Sequence, residues 1–157
     1  VVRVIFVCLG NICRSPMAEA VFRDMLEKEG LEKQVVVDSA GTGNWHAGKP
    51  PHEGTRHILD QKGISYAGMK ARMFEPADWH SFDYIITMDS SNMNDLDKVQ
   101  PADDEGVTVA KLMDFVPDAE DKDVPDPYFT GNFEQTYALV QAGCFELIKH
   151  IKAKHKL

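Results

Sequence analysis

Cysteine is scarce in this 157-residue chain: Cys8, Cys13 and Cys144 make an odd count of three, no basis for a disulfide scaffold. That scarcity argues for a reducing, cytoplasmic setting. No apolar run reaches the roughly 18 residues that a membrane helix requires, and the first residues enter a strand pattern instead of a signal-peptide layout. Positive charge is also short. Lys and Arg number 17 against 25 Asp and Glu, giving a net charge of −8 and a pI of about 5.2. This balance argues against broad binding to nucleic acid, and no membrane partner is expected. There is no internal repeat, and the acidic, proline-containing stretches 101–106 and 117–127 are too short to link domains. His46, His52, His57, His80, His150 and His155 have no metal-ligand spacing, so no metal is expected and they read as surface or packing residues.

What is present is ordinary for a globular protein: 43% hydrophobic and 27% charged residues, in a length suited to one domain over residues 1–157. The β-branched run Val4-Ile5-Phe6-Val7 predicts a first strand ending at Cys8. Val35-Val36-Val37 and the segment 82–88 predict two more strands. Helices are predicted from Pro16 through the apolar positions Met17, Val21, Phe22, Met25 and Leu26, and over 51–61, 91–99 and 133–152, the last from apolar residues at three- and four-residue spacing. Strands alternating with helices imply an α/β fold, a parallel sheet with helices on both faces and its ligand site at the carboxyl ends of the strands. Cys144 falls on the apolar stripe of the last helix and reads as core. Lys149, Lys152, Lys154 and Lys156 suit the negative end of that helix.

The segment Cys8-Leu9-Gly10-Asn11-Ile12-Cys13-Arg14-Ser15-Pro16 lies between the first strand and the first helix. Ser15 suits an N-cap and Pro16 the first helical position. Gly10 can take a positive φ, which curls the backbone so that the amides from Leu9 to Arg14 form an anion-binding nest. The helix N-terminus and the planar fork of Arg14 add two more elements suited to phosphate. The same field favours the thiolate of Cys8, the nucleophilic form of cysteine. The Ser15 hydroxyl can donate to that sulfur. A tetrahedral oxyanion bound here would be attacked by sulfur, and Cys13 could capture an oxidised Cys8 as a disulfide.

Transfer of a phosphoryl group to sulfur expels an alkoxide or phenolate, which a positioned acid assists. Asp126 is the leading candidate, stiffened by Pro125 and Pro127 and followed by the aromatic residues Tyr128 and Phe129. The bland alternative is an acidic turn, of which Asp103-Asp104-Glu105 and 118–123 are other examples, and the substitutes for the acid role are Asp89 and the 118–123 loop. The segment 43–49 imitates the start of a nucleotide-binding P-loop, but Pro50 stands where Ser or Thr should reach magnesium. Trp45 within it can instead wall a binding slot.

These motifs together resemble the low-molecular-weight protein tyrosine phosphatase family. The resemblance rests on residues 6–16, Asp38-Ser39-Ala40-Gly41-Thr42, Phe82-Asp83-Tyr84-Ile85-Ile86 with Met88-Asp89, and Val124-Pro125-Asp126-Pro127-Tyr128. It implies a four-stranded parallel sheet, no metal or organic cofactor, tyrosine-phosphorylated proteins as substrates, and inorganic phosphate or similar oxyanions as product or inhibitor. By resemblance Cys8 is the nucleophile, Arg14 binds phosphate, and Asp126 serves as acid and then base. Asn11, Ser15 and Ser39 would shape the loop formed by Leu9, Gly10, Ile12 and Cys13. Trp45, Tyr128 and Phe129 would wall the aromatic slot. Met69 departs from the family pattern, which places a loop-supporting histidine there, so Asn11 requires another partner. Two activities on the same fold compete. Arginine phosphatases tend to carry threonine where this chain has Ile12. Arsenate reductases relay oxidation through two later cysteines, and this chain has none between Cys13 and Cys144.

Overall fold

Residues Val2–Cys8 form β1, and all but Arg3 are buried. Even-numbered Val4, Phe6 and Cys8 join one core, while Ile5 and Val7 join another on the opposite face. A strand buried on both faces reads as a continuous apolar run, and that run is the sequence signal noted above. The computed structural model describes residues 1–102 and 106–157.

The sheet has four parallel strands in the order β2-β1-β3-β4, with β2 at Val35–Gly41, β3 at Tyr84–Thr87 and β4 at Thr108–Lys111. Helix α1 (Arg14–Lys28), α2 (Glu53–Gln61) and the long C-terminal helix (Phe133–His155) cover the larger core. Trp79, on the short α3 (Asp78–Ser81), and Leu96, on α4 (Ser90–Asp97), belong to the smaller core on the other face. A four-residue α5 (Pro127–Thr130) precedes the C-terminal helix, α6. Cys144 lies in the larger core, as expected, and burial pushes its thiol pKa up.

Several boundaries differ from the sequence reading. β2 extends past Val37 to Gly41, because Asp38 to Gly41 stay in register with Ile5 to Cys8. Their mixed polarity hid them from a search for apolar runs. The short β4, whose four residues are all half-buried, has no apolar run to predict it. α2 starts at Glu53, two residues later than expected, where the His52 side chain accepts a hydrogen bond from Gly54 N–H. α4 starts at Ser90 behind an Asp89–Asn92 capping box. Asp103-Asp104-Glu105 lies outside the described residues.

Candidate active site

The carboxyl end of β1 delivers Cys8 to the base of a cleft. After Cys8 the backbone stays tied to the neighbouring chain: Thr42 N–H donates to Cys8 C=O and Gly43 N–H to Leu9 C=O, both at 2.9 Å. The loop then curls into α1. Its one left-handed residue is Asn11, at φ 56°; Gly10 does not have a positive φ. Gly10 serves another purpose, since a Cβ there would stand 3.0 Å from His46 Cδ2. A left-handed non-glycine residue is strained by order of 1 kcal/mol or more, and its side-chain bonds must hold it. Asn11 Nδ2 donates to Ser15 Oγ at 2.8 Å and to Ser39 Oγ at 3.0 Å, while its Oδ1 accepts from Arg72 N–H at 3.0 Å. The Arg72 amide is thus the partner that Met69 cannot supply.

Ser15 is not the N-cap. Cys13 holds that position without a side-chain cap bond, and Pro16 is the third helical residue instead of the first. A proline there still leaves no hydrogen bond unmade, since the first four amides of a helix have no partner within it. Freed from capping, the Ser15 hydroxyl lies 3.0 Å from Cys8 Sγ and 3.3 Å from Ala40 C=O. Ser39 Oγ donates to Glu19 at 2.7 Å, and Arg23 pairs with the same Glu19 carboxylate. Arg23 also reaches Met69 Sδ at 3.9 Å. Glu19 and Arg23 were not singled out in the sequence; their four-residue separation on a helix was the available signal.

Arg14 is 1% exposed beneath the loop. Its NH1 donates to Asp89 Oδ2 at 2.5 Å and to Val124 C=O at 2.9 Å. NH2 approaches Asp126 Oδ2 at 3.3 Å. Nε is buried and has no hydrogen-bond partner in the protein among the described residues. NH1 is therefore tethered twice and NH2 once, at the longer 3.3 Å, and a tetrahedral anion that displaces the Asp126 carboxylate from NH2 would meet a bidentate Nε–NH2 edge. Burial opposes the Arg14 charge, but Cys8, Asp89 and Asp126 outweigh it and raise the pKa. Asp89, a residue of the family motif that the sequence offers as a substitute acid, thus orients Arg14 while capping α4.

Asp126 is the N-cap of α5, with Oδ1 accepting from Tyr128 N–H at 3.1 Å. The cap turns the chain so that Tyr128 and Phe129 stand at the cleft mouth, 51% and 75% exposed. Trp45 stands across from them, 65% exposed, its ring folded so closely over Gly43 that a Cβ there would clash. Cys8, Leu9, Gly10, Ile12, Cys13, Trp45, Asp126, Tyr128 and Phe129 line this single cleft, as does His46. Asn11, Arg14, Ser15 and Ser39 lie below it as supports. Two histidines read as surface or packing residues belong to this region. His46 is 6.0 Å from the Tyr128 ring, and His52 stacks on Phe133 at 5.1 Å and meets Tyr128 edge-on. Burial, with Asp126 and Cys8 adding to it, pushes the Cys13 thiol up to about 12.

The sequence profile of the low molecular weight phosphotyrosine protein phosphatases matches residues 3–157. The chain belongs to that family. It is 49% identical over 156 residues to the low molecular weight protein-tyrosine-phosphatase YfkJ of Bacillus subtilis, covering 99% of each chain. It is 48% identical to PtpA of Staphylococcus epidermidis, covering 96% of this chain and 94% of the relative. The crystal structure of YfkJ superposes with a TM-score of 0.94, covering 98% of this chain and 96% of that one. That of the Drosophila arginine phosphatase DARP superposes at 0.89 with 33% identity, covering 95% and 97%. The fold expected from the family resemblance, a four-stranded parallel sheet with helices on both faces, is the one observed.

Proposed function

We propose that this chain hydrolyses phosphotyrosine monoesters in proteins through a phosphocysteine intermediate. The observation that carries the reading is the placement of Cys8 and Asp126 in one cleft with aromatic walls, above a buried Arg14 whose Nε is unpaired among the described residues and whose NH2 reaches the Asp126 carboxylate at 3.3 Å. The phosphoryl group sits in the nest of loop amides at the N-terminus of α1, held on the Arg14 fork. Cys8 attacks phosphorus as the thiolate; the P–O bond breaks and Asp126 passes a proton to the departing tyrosine oxygen. Ser15 can turn its hydroxyl from Ala40 C=O toward the sulfur and stabilise the thiolate when it leaves. In the second half, the Asp126 carboxylate takes a proton from water as it attacks phosphocysteine, returning the thiolate and releasing inorganic phosphate. Trp45, Tyr128 and Phe129 flank the slot for the planar tyrosine ring, so tyrosine-phosphorylated proteins are the proposed partners. The three free cysteines support a reducing, cytoplasmic setting.

Rapid mixing with an aryl phosphate tests the mechanism: a burst of phenol should precede steady turnover, and phosphate should be trapped on Cys8 at acid quench. A linear release with no labelled cysteine would overturn the intermediate. The arsenate reductase alternative gains nothing from Cys144, which is fully buried, with Sγ 3.7 Å from Ala18 C=O. For the arginine phosphatase alternative, Ile12 contributes an apolar side to the cleft, which suits an aryl ester better than a guanidinium. Phosphoarginine should therefore be turned over much more slowly than phosphotyrosine in the same assay.

A further inference from the structure

Four carbonyls of the Cys8–Arg14 loop are anchored by residues outside its curl. Thr42 and Gly43 N–H hold those of Cys8 and Leu9. The start of α2 holds the other two: His52 N–H donates to Ile12 C=O at 2.7 Å and Thr55 Oγ1 to Cys13 C=O at 3.0 Å. In a planar trans peptide the C=O and the following N–H point in opposite directions. Carbonyls turned outward to these anchors therefore turn the amides of Leu9, Gly10, Cys13 and Arg14 inward. Three of the anchors are backbone amides, which any residue but proline supplies. Thr55 is the exception. It is fully buried on the first turn of α2. A helical threonine commonly turns its hydroxyl to a carbonyl three or four residues earlier. This one reaches a carbonyl 42 positions away. That carbonyl belongs to Cys13, the N-cap of α1, which has no side-chain cap bond and accepts from Met17 N–H at the longer 3.3 Å. The start of α2 is itself fixed on α6: His52 stacks on Phe133, and a Cβ on Gly54 would stand 2.4 Å from the Phe133 ring.

We propose that Thr55 is a positioning residue for the phosphate cradle. Its hydroxyl fixes the Cys13–Arg14 peptide, so that Arg14 N–H faces the phosphoryl oxygens while the Arg14 guanidinium meets them from below. The role rests on the phosphate site of the proposed reaction, but anion binding reads it without turnover.

The probe is inorganic phosphate, titrated into the full 15N-labelled chain. In the unaltered protein the Arg14 amide resonance should shift saturably and downfield as its proton gains an anionic acceptor. Thr55→Val keeps the side-chain shape and removes the hydroxyl. It should weaken phosphate about fivefold and shrink the Arg14 shift, and Thr55→Ser should restore both. A hydroxyl that merely steadies α2 would lower the urea midpoint of Thr55→Val and leave its phosphate affinity equal to the parent's. That result would overturn the role and leave the phosphatase reading standing. An Arg14 amide that ignores phosphate while those of Gly10 and Cys13 respond would also overturn it, in the unaltered protein and so even if Thr55→Val fails to fold. Absence of any phosphate binding by the unaltered protein would overturn the phosphate site itself, and this role with it.

Discussion

At the scale of single residues, the proposed roles separate by experiment. Cys8→Ser should abolish turnover, because an alcohol in this setting has no adjacent base to ionise it. Wild-type-like activity would remove Cys8 from the mechanism. Arg14→Lys should be nearly as severe. A lysine can meet Asp89, but it has no second edge for phosphate, and retention of more than about a tenth of the rate would contradict a role of at least ~1.4 kcal/mol in the transition state. Asp126→Ala should cost phosphotyrosine far more than nitrophenyl phosphate, whose phenolate leaves without help, and the alkaline limb of the rate profile should flatten. Equal losses would move the acid role elsewhere. Cys13 carries a redox expectation. Peroxide should convert Cys8 to a sulfenic acid, and Cys13 should then displace water from it to form a disulfide. The Cys13 thiol, held protonated by burial up to about pH 12, is a slow attacker near neutrality. Closure should therefore quicken as pH rises, read as the loss of two hydrogens between the two peptides by mass spectrometry. Recovery in dithiothreitol that is equal for parent and Cys13→Ser would deny the bridge a protective role.

At the scale of elements, the catalytic loop is shaped by bonds to α1, β2 and the strand-like segment around Arg72, and its own residues supply few of them. Asn11 is where these converge, and its left-handed backbone separates two contributions. Asn11→Gly keeps the conformation at no steric cost but loses the three side-chain bonds. Asn11→Ala loses the bonds and adds left-handed strain, so it should be the less stable by about 1 kcal/mol in urea titrations. Both should lose activity together, since both free the loop. If Asn11→Ala matches Asn11→Gly in stability, the left-handed residue is not strained in the folded protein. The acid loop has its own tether at the far end. Asp123 accepts from Lys111 Nζ at 3.1 Å and from Ser90, and Val124 N–H donates to Met88 C=O at 2.8 Å. These contacts place Asp126 relative to β3, the strand next to the one that carries Cys8, and to β4, one strand further out.

For the whole molecule, buried thiols make stability depend on alkaline pH. Burial raises the Cys144 pKa above its ordinary value of 9.0. The unfolded chain therefore loses this proton at lower pH than the folded one, and ionisation draws the equilibrium toward unfolding once pH exceeds about 9. Stabilisation from the buried neutral thiol is complete below that point and falls as pH rises toward the folded pKa, by up to about 1.4 kcal/mol per pH unit. Cys144→Val keeps an apolar side chain of similar size and removes the proton. Under reducing conditions the stability gap between parent and variant should move in favour of the variant between pH 8 and pH 11. A gap independent of pH would show that Cys144 ionises as readily in the folded state as in the unfolded one.

Local chemistry determined a great deal here. An apolar run ending in cysteine, a short loop with arginine, and a proline-flanked aspartate were legible because each signal is contiguous and each residue type has few alternatives at its job. The α/β alternation and the core position of Cys144 followed from periodicity, which depends only on neighbours a few residues apart. Tertiary structure decided what depends on distant partners. It moved the positive φ from Gly10 to Asn11, because bonds from Ser15, Ser39 and Arg72 hold an asparagine in a conformation that a sequence reader assigns to glycine. It drew Ser15 away from capping, because Cys8, Asn11 and Ala40 offer its hydroxyl better partners. It paired Asp89 with Arg14 across 75 positions of chain, and brought His46 to the cleft where spacing alone made it a surface or packing residue. It also completed β2 through polar residues and formed β4, because a strand at the sheet edge is defined by the backbone bonds of its neighbour and needs no apolar run of its own.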